Sequence, residues 1–429
     1  MKKIIFHIDV NSAYLSWTAI KLLRDGSNTD LRKIPAIVGG DMSKRHGVVL
    51  AKSMSAARYG IRTGEPITDA LRKCASLTIV PPEHHYYSVC SHQLLDLLHH
   101  YTPSISQYSI DECFAEYVPV PGDNGDPVKA AHIIKDVIRN KLGFTVNVGI
   151  STNRLLAKMA SDFEKPDKVH TLFPEEIPVK MWPLPVKDLF MVGRSSASKL
   201  ELLGIKTIGD LAKMDPTLIE AHLKSHGRTI WEYANGIESV HIDDRTKTDT
   251  SNKGIGNSTT LSTDVTTEEA AGKVLLELSE SVTGRLRKAG FLAGMVSVEI
   301  RYSTFTNVSH QMQLVSPSQA TQVIYEAALR LFTNSEWHTV RLLGIRTSKL
   351  SDCQVRQMNL FDYVKNDKQE KLDQALDSIR QKYGSKAVMR GSFLEEKRPP
   401  KATLMINLQF IPAHAHVCGD GFSNSVLTS

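Results

Sequence analysis

The sequence predicts an α+β chain of several domains. Three observations predict it. The chain has 429 residues, more than one core organises, so roughly two to four domains are expected. Short β-branched apolar runs alternate with segments of helical apolar spacing. A polar break at 241–252 (HIDDRTKTDTSN) separates a second αβ unit from the first part of the chain.

The elements follow in order. Residues 3–10 (KIIFHIDV) are a short apolar run rich in β-branched side chains, hence a buried strand. A helix fits 12–23. Two short apolar runs, 36–38 and 48–51, flank the Gly-rich basic turn GGDMSKRHG. Residues 84–101 carry apolar side chains at helical spacing. Residues 104–118 (SISQYSIDECFAEYV) are expected as two strands about a tight turn at 110–112. A helix at 128–142, a strand at 145–150 and a helix at 153–162 complete the segment. The order is a split βαββαβ pattern with a long insertion after its first strand. In that fold the first and third strands are central neighbours. Asp9, ending the first, is therefore expected to meet Asp111 and Glu112, which begin the third. From 166 to 240 the sequence is expected to be helical with short turns. Within 186–214 two apolar-x-Gly turns, at Gly193 and Gly204, resemble a helix-hairpin-helix pair, which offers backbone N–H groups to phosphate. A packing turn explains them equally well. Beyond the break, strands are expected at 294–302, 308–314 and 339–346, with helices at 266–289 and 317–333. The polar stretch 351–429 is expected to be a tail.

Composition sets bounds without choosing a function. Apolar residues at 41% and charged residues at 23% are the balance of an ordinary soluble protein. A net charge of +6 permits a polyanionic partner and equally suits a basic enzyme. The five cysteines (Cys74, Cys90, Cys113, Cys353, Cys418) form no C-x-x-C pair, as expected of free thiols in a reducing cytoplasm. Asp9 interrupts the first apolar run, so no signal-peptide core is expected, and no run of 18 apolar residues spans a membrane.

Asp9, Asp111 and Glu112 are the candidate metal-holding carboxylates. Nucleotidyl transfer uses two divalent ions about 3.5–4 Å apart, one activating an attacking hydroxyl and one clamping the leaving group. Magnesium prefers carboxylate oxygens, and clustered carboxylates at strand ends are the least a protein must supply. Taken alone, an Asp-Glu pair in a turn is more often a solvated turn, and a lone Asp at a strand end a helix cap.

Four segments in the same order resemble the Y-family (translesion) DNA polymerases, the family of bacterial polymerases IV and V: IDVNSAY (8–14), VVLAKSMSAARYGIRTGEPI (48–67), YSIDECF (108–114) and VNVGISTNRLLAKMASDFEKP (146–166). The resemblance covers about residues 1–350. It implies a right-hand architecture, with a palm at 1–18 and 76–165, fingers at 19–75, a helical thumb at 166–240, a linker at 241–252 and a little finger at 253–350. It implies that Asp9, Asp111, Glu112 and the Val10 carbonyl hold two Mg²⁺ ions, for which Mn²⁺ substitutes. Tyr14 falls at the family's steric gate against a ribose 2′-OH. Lys158 matches a palm lysine that contacts the triphosphate. The substrates implied are primer-template DNA and deoxynucleoside triphosphates, handled by a cytoplasmic monomer.

The sequence departs from the family in places. Ala13 stands where an aromatic residue is common. Anchored on Gly60, the fingers positions that usually hold a Tyr and an Arg or Lys hold Met54 and Ala57, with Arg58 one place later. GIGNSTT (254–260) resembles the first little-finger strand, which lies along template backbone. Arg301, Arg341 and Arg346 sit on expected strands as phosphate contacts. From 253 to 352 there are ten Lys/Arg and nine Asp/Glu, so a basic face requires segregation across the sheet. QMNLF (357–361), with Gln357, Leu360 and Phe361, looks like a bacterial sliding-clamp motif. A two-metal nuclease and a non-catalytic, clamp-recruited scaffold stay open as alternatives.

Overall fold

The computed structural model of the chain describes residues 3–41, 47–238, 254–353, 363–384 and 387–391. These fall into two units, 3–238 and 254–391. The first is organised on β1 (Ile5–Val10), buried along all six residues, and the turn after it leads into α1 (Ala13–Arg24). The chain then builds β2 (Ala36–Gly39), β3 (Val49–Lys52), the short helices α2 (Met54–Ala57) and α3 (Ile67–Lys73), and β4 (Thr78–Val80). Helix α4 (His84–His99) leads to β5 (Ile105–Gln107), β6 (Glu112–Glu116), α5 (Pro127–Leu142), β7 (Val146–Ser151), α6 (Arg154–Ser161) and β8 (Val169–Thr171).

The main sheet has the order β5-β6-β1-β7-β8, and the insertion forms a separate sheet, β3-β2-β4. The expected neighbourhood of first and third pattern strands is present as the antiparallel pair β1 and β6. β8 is a difference from the expectation that 166–240 is wholly helical. It pairs parallel with β7 over three residues, too few to leave a periodic signal.

One glycine decides how α6 meets this sheet. A Cβ built on Gly149 of β7 lies 1.9 Å from the Ala157 carbonyl oxygen and 2.5 Å from the Ser161 nitrogen, both backbone atoms. Only glycine lets the helix lie so close to the strand. α6 begins on Asn153, whose side chain accepts from the Leu156 N–H at 2.8 Å.

The helices α7 (Arg194–Leu202), α8 (Ile208–Lys213), α9 (Pro216–Leu223) and α10 (Ser225–Ala234) end the first unit. Their apolar faces share a core with Leu155, Leu156 and Met159 of α6.

The second unit contains β9 (Gly254–Val265), α11 (Glu268–Ala289), β10 (Phe291–Tyr302), β11 (Asn307–Ser318), α12 (Thr321–Thr333) and β12 (Val340–Asp352). Its antiparallel sheet has the order β11-β10-β12-β9. α11 and α12 bury their apolar stripes on alternate residues of β10 and β12, including Val296, Val298, Ile300, Leu343 and Ile345. Thr267 caps α11 through the Ala270 N–H, and Gly290, at φ 72, closes it.

The stretch after 351, expected to be a tail, instead carries α13 (Tyr363–Tyr383). Its Asp373 is 1% exposed and accepts from the Thr321 N–H at 2.8 Å, while Arg287 bonds Asp377 at 2.6 Å. Polar composition hid this helix because charged groups hold it to its neighbours. Among the described residues, no helix is long and apolar enough to cross a membrane.

Candidate active site

In the antiparallel register Asp9 of β1 stands opposite Glu112 of β6 and, on its other side, opposite Asn147 of β7. Paired residues of an antiparallel ladder share a face, so Asp9 and Glu112 emerge side by side. Asp111 precedes β6 and extends the ladder, its carbonyl accepting the Val10 N–H at 3.0 Å. Carboxylates about a hundred positions apart in sequence thus converge at one end of the sheet.

Their electrostatics differ. Burial pushes the Asp9 carboxyl up to about 6, against the pull of Lys165, whose ammonium donates to Asp9 Oδ2. Burial likewise raises Asp111, partly offset by the Ser109 hydroxyl donating to Oδ1 at 2.6 Å. Glu112 goes the other way. Burial pushes it up, but His7 Nε2, 3.5 Å from Oε2, and the Lys158 ammonium, 2.8 Å from the same oxygen, bring it down to about 2. At 3.5 Å the imidazole is long for a hydrogen bond, so the ammonium is the stronger partner.

The two lysines are held differently. Lys158, on α6, lies over the rings of Tyr108 at 5.3 Å and Phe190 at 5.6 Å, with a side chain 10% exposed. Lys165 also bonds Asp162 at 2.7 Å, and its side chain is 37% exposed. Burial lowers the Lys165 ammonium pKa, but Asp9 and Asp162 together raise it further. His7 is fully buried, with Nδ1 on the Ser161 hydroxyl at 2.8 Å. Close packing of α6 on β7 brings Lys158 to Glu112 and Ser161 to His7.

The candidate donors are all oxygen: the three carboxylates, with the Val10 carbonyl expected beside them. That is the chemistry a hard divalent cation takes. Among the described residues, no three His, Cys, Asp or Glu side chains close on a single point. Ammonium groups hold Asp9 and Glu112 where a cation would neutralise them, so the residues fit such an ion in kind and in charge.

Tyr14 stands just after Ser12, which adopts a left-handed conformation (φ 48) in the turn out of β1. Its ring stacks on Tyr87 of α4, with centroids 4.5 Å apart and planes at 11°. Burial, then the Asp111 charge, raise the Tyr14 hydroxyl, which marks it as a neighbour of the carboxylates. Arg58 is exposed at the C-cap of α2 and makes no hydrogen bond or ion pair to the carboxylates among the described residues.

The two turn glycines separate. Gly193 is the N-cap of α7 with no side-chain cap, leaving the first N–H groups of that helix without one. Gly204, at φ 80, is instead the C-terminal stop of α7: its N–H bonds the Glu201 carbonyl and the Ile205 N–H bonds Leu200, both at 3.0 Å. The next helix, α8, is closed by the Thr207–Asp210 capping box. The expectation that Gly204 offers amides at a helix N-terminus is therefore corrected.

In the second unit the face of the sheet away from α11 and α12 is small and polar. Arg346 pairs across with Ser297 and Gly256, and Glu299 with Gly344 and Ser309. These residues line a concavity of about 860 Å³ that also receives Arg285. Arg301 is on the same face and donates to Asn307 Oδ1 at 2.7 Å. Arg341 lies at a ladder irregularity, 4.7 Å from the Phe305 ring. Gln357, Leu360 and Phe361 lie outside the described residues.

Three functional candidates escaped the sequence reading: Lys165, His7 and Tyr87. Lys165 lies within the 146–166 segment and His7 two places before Asp9, so position alone could have flagged them. Tyr87 gave no signal except its place on a helix.

Comparison with known proteins bears on the whole chain. The impB/mucB/samB family model matches residues 8–162, and the C-terminal domain model of that family matches residues 252–360. A protein of Clostridium acetobutylicum named DNA polymerase IV is 48% identical over 92% of this chain and 100% of its own length. The DNA polymerase IV 2 of Bacillus subtilis is 36% identical over 92% of this chain and 95% of its own. A solved Y-family DNA polymerase chimera superposes with TM-score 0.69 at 20% identity, covering 81% of this chain and 99% of that one, a likeness of fold. With 48% identity to a full-length relative and both family models matched in order, the chain belongs to the impB/mucB/samB family, the Y-family DNA polymerases of the polymerase IV type.

Proposed function

We propose that this chain extends a DNA primer along a template, adding deoxynucleotides by metal-assisted nucleotidyl transfer in the damage-tolerant synthesis of its family. The observation that carries the proposal is the meeting of Asp9, Asp111 and Glu112 at one end of the main sheet. Family membership gives no support to the nuclease and scaffold alternatives.

Each part of the site has a role in this proposal. Asp9, Asp111, Glu112 and the Val10 carbonyl hold two Mg²⁺ ions, with Mn²⁺ able to substitute. When bound, such ions activate the primer hydroxyl and neutralise charge on the leaving pyrophosphate. Tyr14 walls the sugar and rejects a 2′-OH. Lys165, half-exposed and paired with Asp9, is better placed than Lys158 to turn to an incoming triphosphate, because Lys158 is bound to Glu112 between two rings. Arg58 stays a candidate on the fingers side.

Residues 1–18 and 76–165 would serve as palm, 19–75 as fingers, 166–240 as thumb and 253–350 as little finger, with the link at 241–252. Gly193 and the uncapped start of α7 suit a backbone phosphate, and Arg301 and Arg346 on the outer sheet face, with Arg341 at the ladder irregularity, suit phosphates of the template. Gln357, Leu360 and Phe361 would dock on a sliding clamp. The working form in this proposal is a cytoplasmic monomer.

A primer-extension assay with Mg²⁺ tests the core of it. The wild type is expected to add deoxynucleotides, and Asp111→Ala to abolish addition. Cleavage of the DNA instead, or no reaction with any divalent metal, would sink the proposal.

A further inference from the structure

We propose that Tyr87 is a second specificity-determining residue, a rigid backing that makes the Tyr14 ring an effective wall against ribonucleotides. This inference rests on the proposed gate role of Tyr14.

A steric wall discriminates only if it cannot yield. A free tyrosine would rotate away from a ribose 2′-OH at the cost of a soft torsion. Tyr14 is not free. One face of its ring is covered by Tyr87 at 4.5 Å with planes 11° apart, and the His84 ring meets it edge-on at 6.0 Å. Tyr87 has 0% exposure and so has no space into which to retreat.

The hydrogen bonds fix the pair further. Thr18 Oγ1 donates to the Tyr14 carbonyl at 2.8 Å. It is also 2.8 Å from the Tyr87 hydroxyl. Thr18 has one hydroxyl proton and directs it to that carbonyl, so Tyr87 is the donor to Thr18. The backbone that carries the wall and the ring behind it are thereby tied to one atom. The rest of the Tyr14 side chain is partly exposed, and its hydroxyl feels the charge of Asp111. The ring is thus backed by Tyr87 while the side chain as a whole keeps partial exposure.

Tyr87 touches neither substrate nor carboxylates in this scheme. It acts through Tyr14 and is a positioning residue. A merely structural tyrosine would lower stability without changing the choice of sugar.

The test is the ratio of kcat/KM for a deoxynucleoside triphosphate over its ribonucleotide, in the full-length protein. Tyr87→Met keeps much of the volume and removes the flat ring, and should lower the ratio about tenfold, the upper worth of a stacked pair. Tyr87→Phe keeps the stack and loses only the hydroxyl tether, and should lower it about threefold or less. Tyr14→Ala is the reference and should lower the ratio most. Thermal unfolding checks that each variant is folded at the assay temperature, and Tyr87→Leu replaces the Met variant if that one is not. A fall with Tyr14→Ala but a wild-type ratio in Tyr87→Met or Tyr87→Leu overturns the backing role. An unchanged ratio in Tyr14→Ala removes the gate itself, and the backing role with it.

Discussion

Lys158 and Lys165 lie close in sequence and carry different loads. Lys158 neutralises Glu112 in a largely buried place, with two aromatic faces around it. Removing one partner of such a pair leaves the other charge poorly solvated. Lys158→Met is therefore expected to cost about 1–3 kcal/mol of stability, discounted from a fully buried pair because Glu112 keeps some exposure. The sign with pH follows from the carboxyl. Glu112 is depressed from 4.5 to about 2, so the stability it contributes is present above pH 4.5 and is lost as pH falls through about 2. The gap in Tm between wild type and Lys158→Met should shrink over that window. Lys165→Met also strips a buried carboxylate of its partner, so it too should lower Tm, and it should in addition raise KM for the incoming nucleotide. Equal Tm values for wild type and Lys158→Met at neutral pH would refute the assignment. Asp9, raised to about 6, works oppositely: it favours the folded state below its unfolded value of 3.8 and loses that contribution as pH rises through 6. The sequence marked Asp9, Asp111 and Glu112 through the IDVNSAY and YSIDECF segments and the strand order that brings them together, since alone such carboxylates are more often caps or solvated turns. It could not separate the two lysines, because that depends on which one the rings of Tyr108 and Phe190 enclose.

At the scale of elements, α6 and β7 form the tightest joint near the site. Gly149→Ala would drive a methyl group into the Ala157 carbonyl. The helix must shift, at an expected cost of about 3 kcal/mol or more. The shift also moves Ser161 from His7 and Lys158 from Glu112, so primer extension should fall at temperatures where the variant is still folded. Urea unfolding and extension measured together check this, and a variant with wild-type stability would show that the joint is looser than drawn. Long elements were legible in the sequence: α4, α5, α11 and α12 all carry periodic apolar faces. Short or edge elements were not. β8 is three residues long, and β11 is mostly exposed and polar, so its last residues escaped the expected range 308–314. Gly204 shows the limit of motif reading, since a helix-stopping glycine and a phosphate-binding turn share the same letters. Only the partners of its N–H group tell them apart.

The whole molecule is two units joined through a polar segment, and the βαββαβ unit was legible because strand order alone defines it. α13 was not, since its inward face carries Glu370 and Asp373 in place of an apolar stripe. The proposed clamp motif ends just before this helix in sequence. Changing Leu360 and Phe361 together to Ala should abolish binding to the sliding clamp in a pull-down or surface-binding assay while leaving distributive synthesis intact. Clamp affinity that survives the double change would move docking elsewhere. Within the first unit, one helix has two duties. α6 gives Leu155, Leu156 and Met159 to the core of the four C-terminal helices, and Lys158 and Ser161 to the carboxylate end of the sheet. It has eight residues and is wedged against backbone on its β7 side. In mechanical terms it is a short, stiff beam shared by two spans. If those four helices take the thumb role proposed for them, a load on them from bound duplex would be passed to the Glu112 carboxylate through this beam.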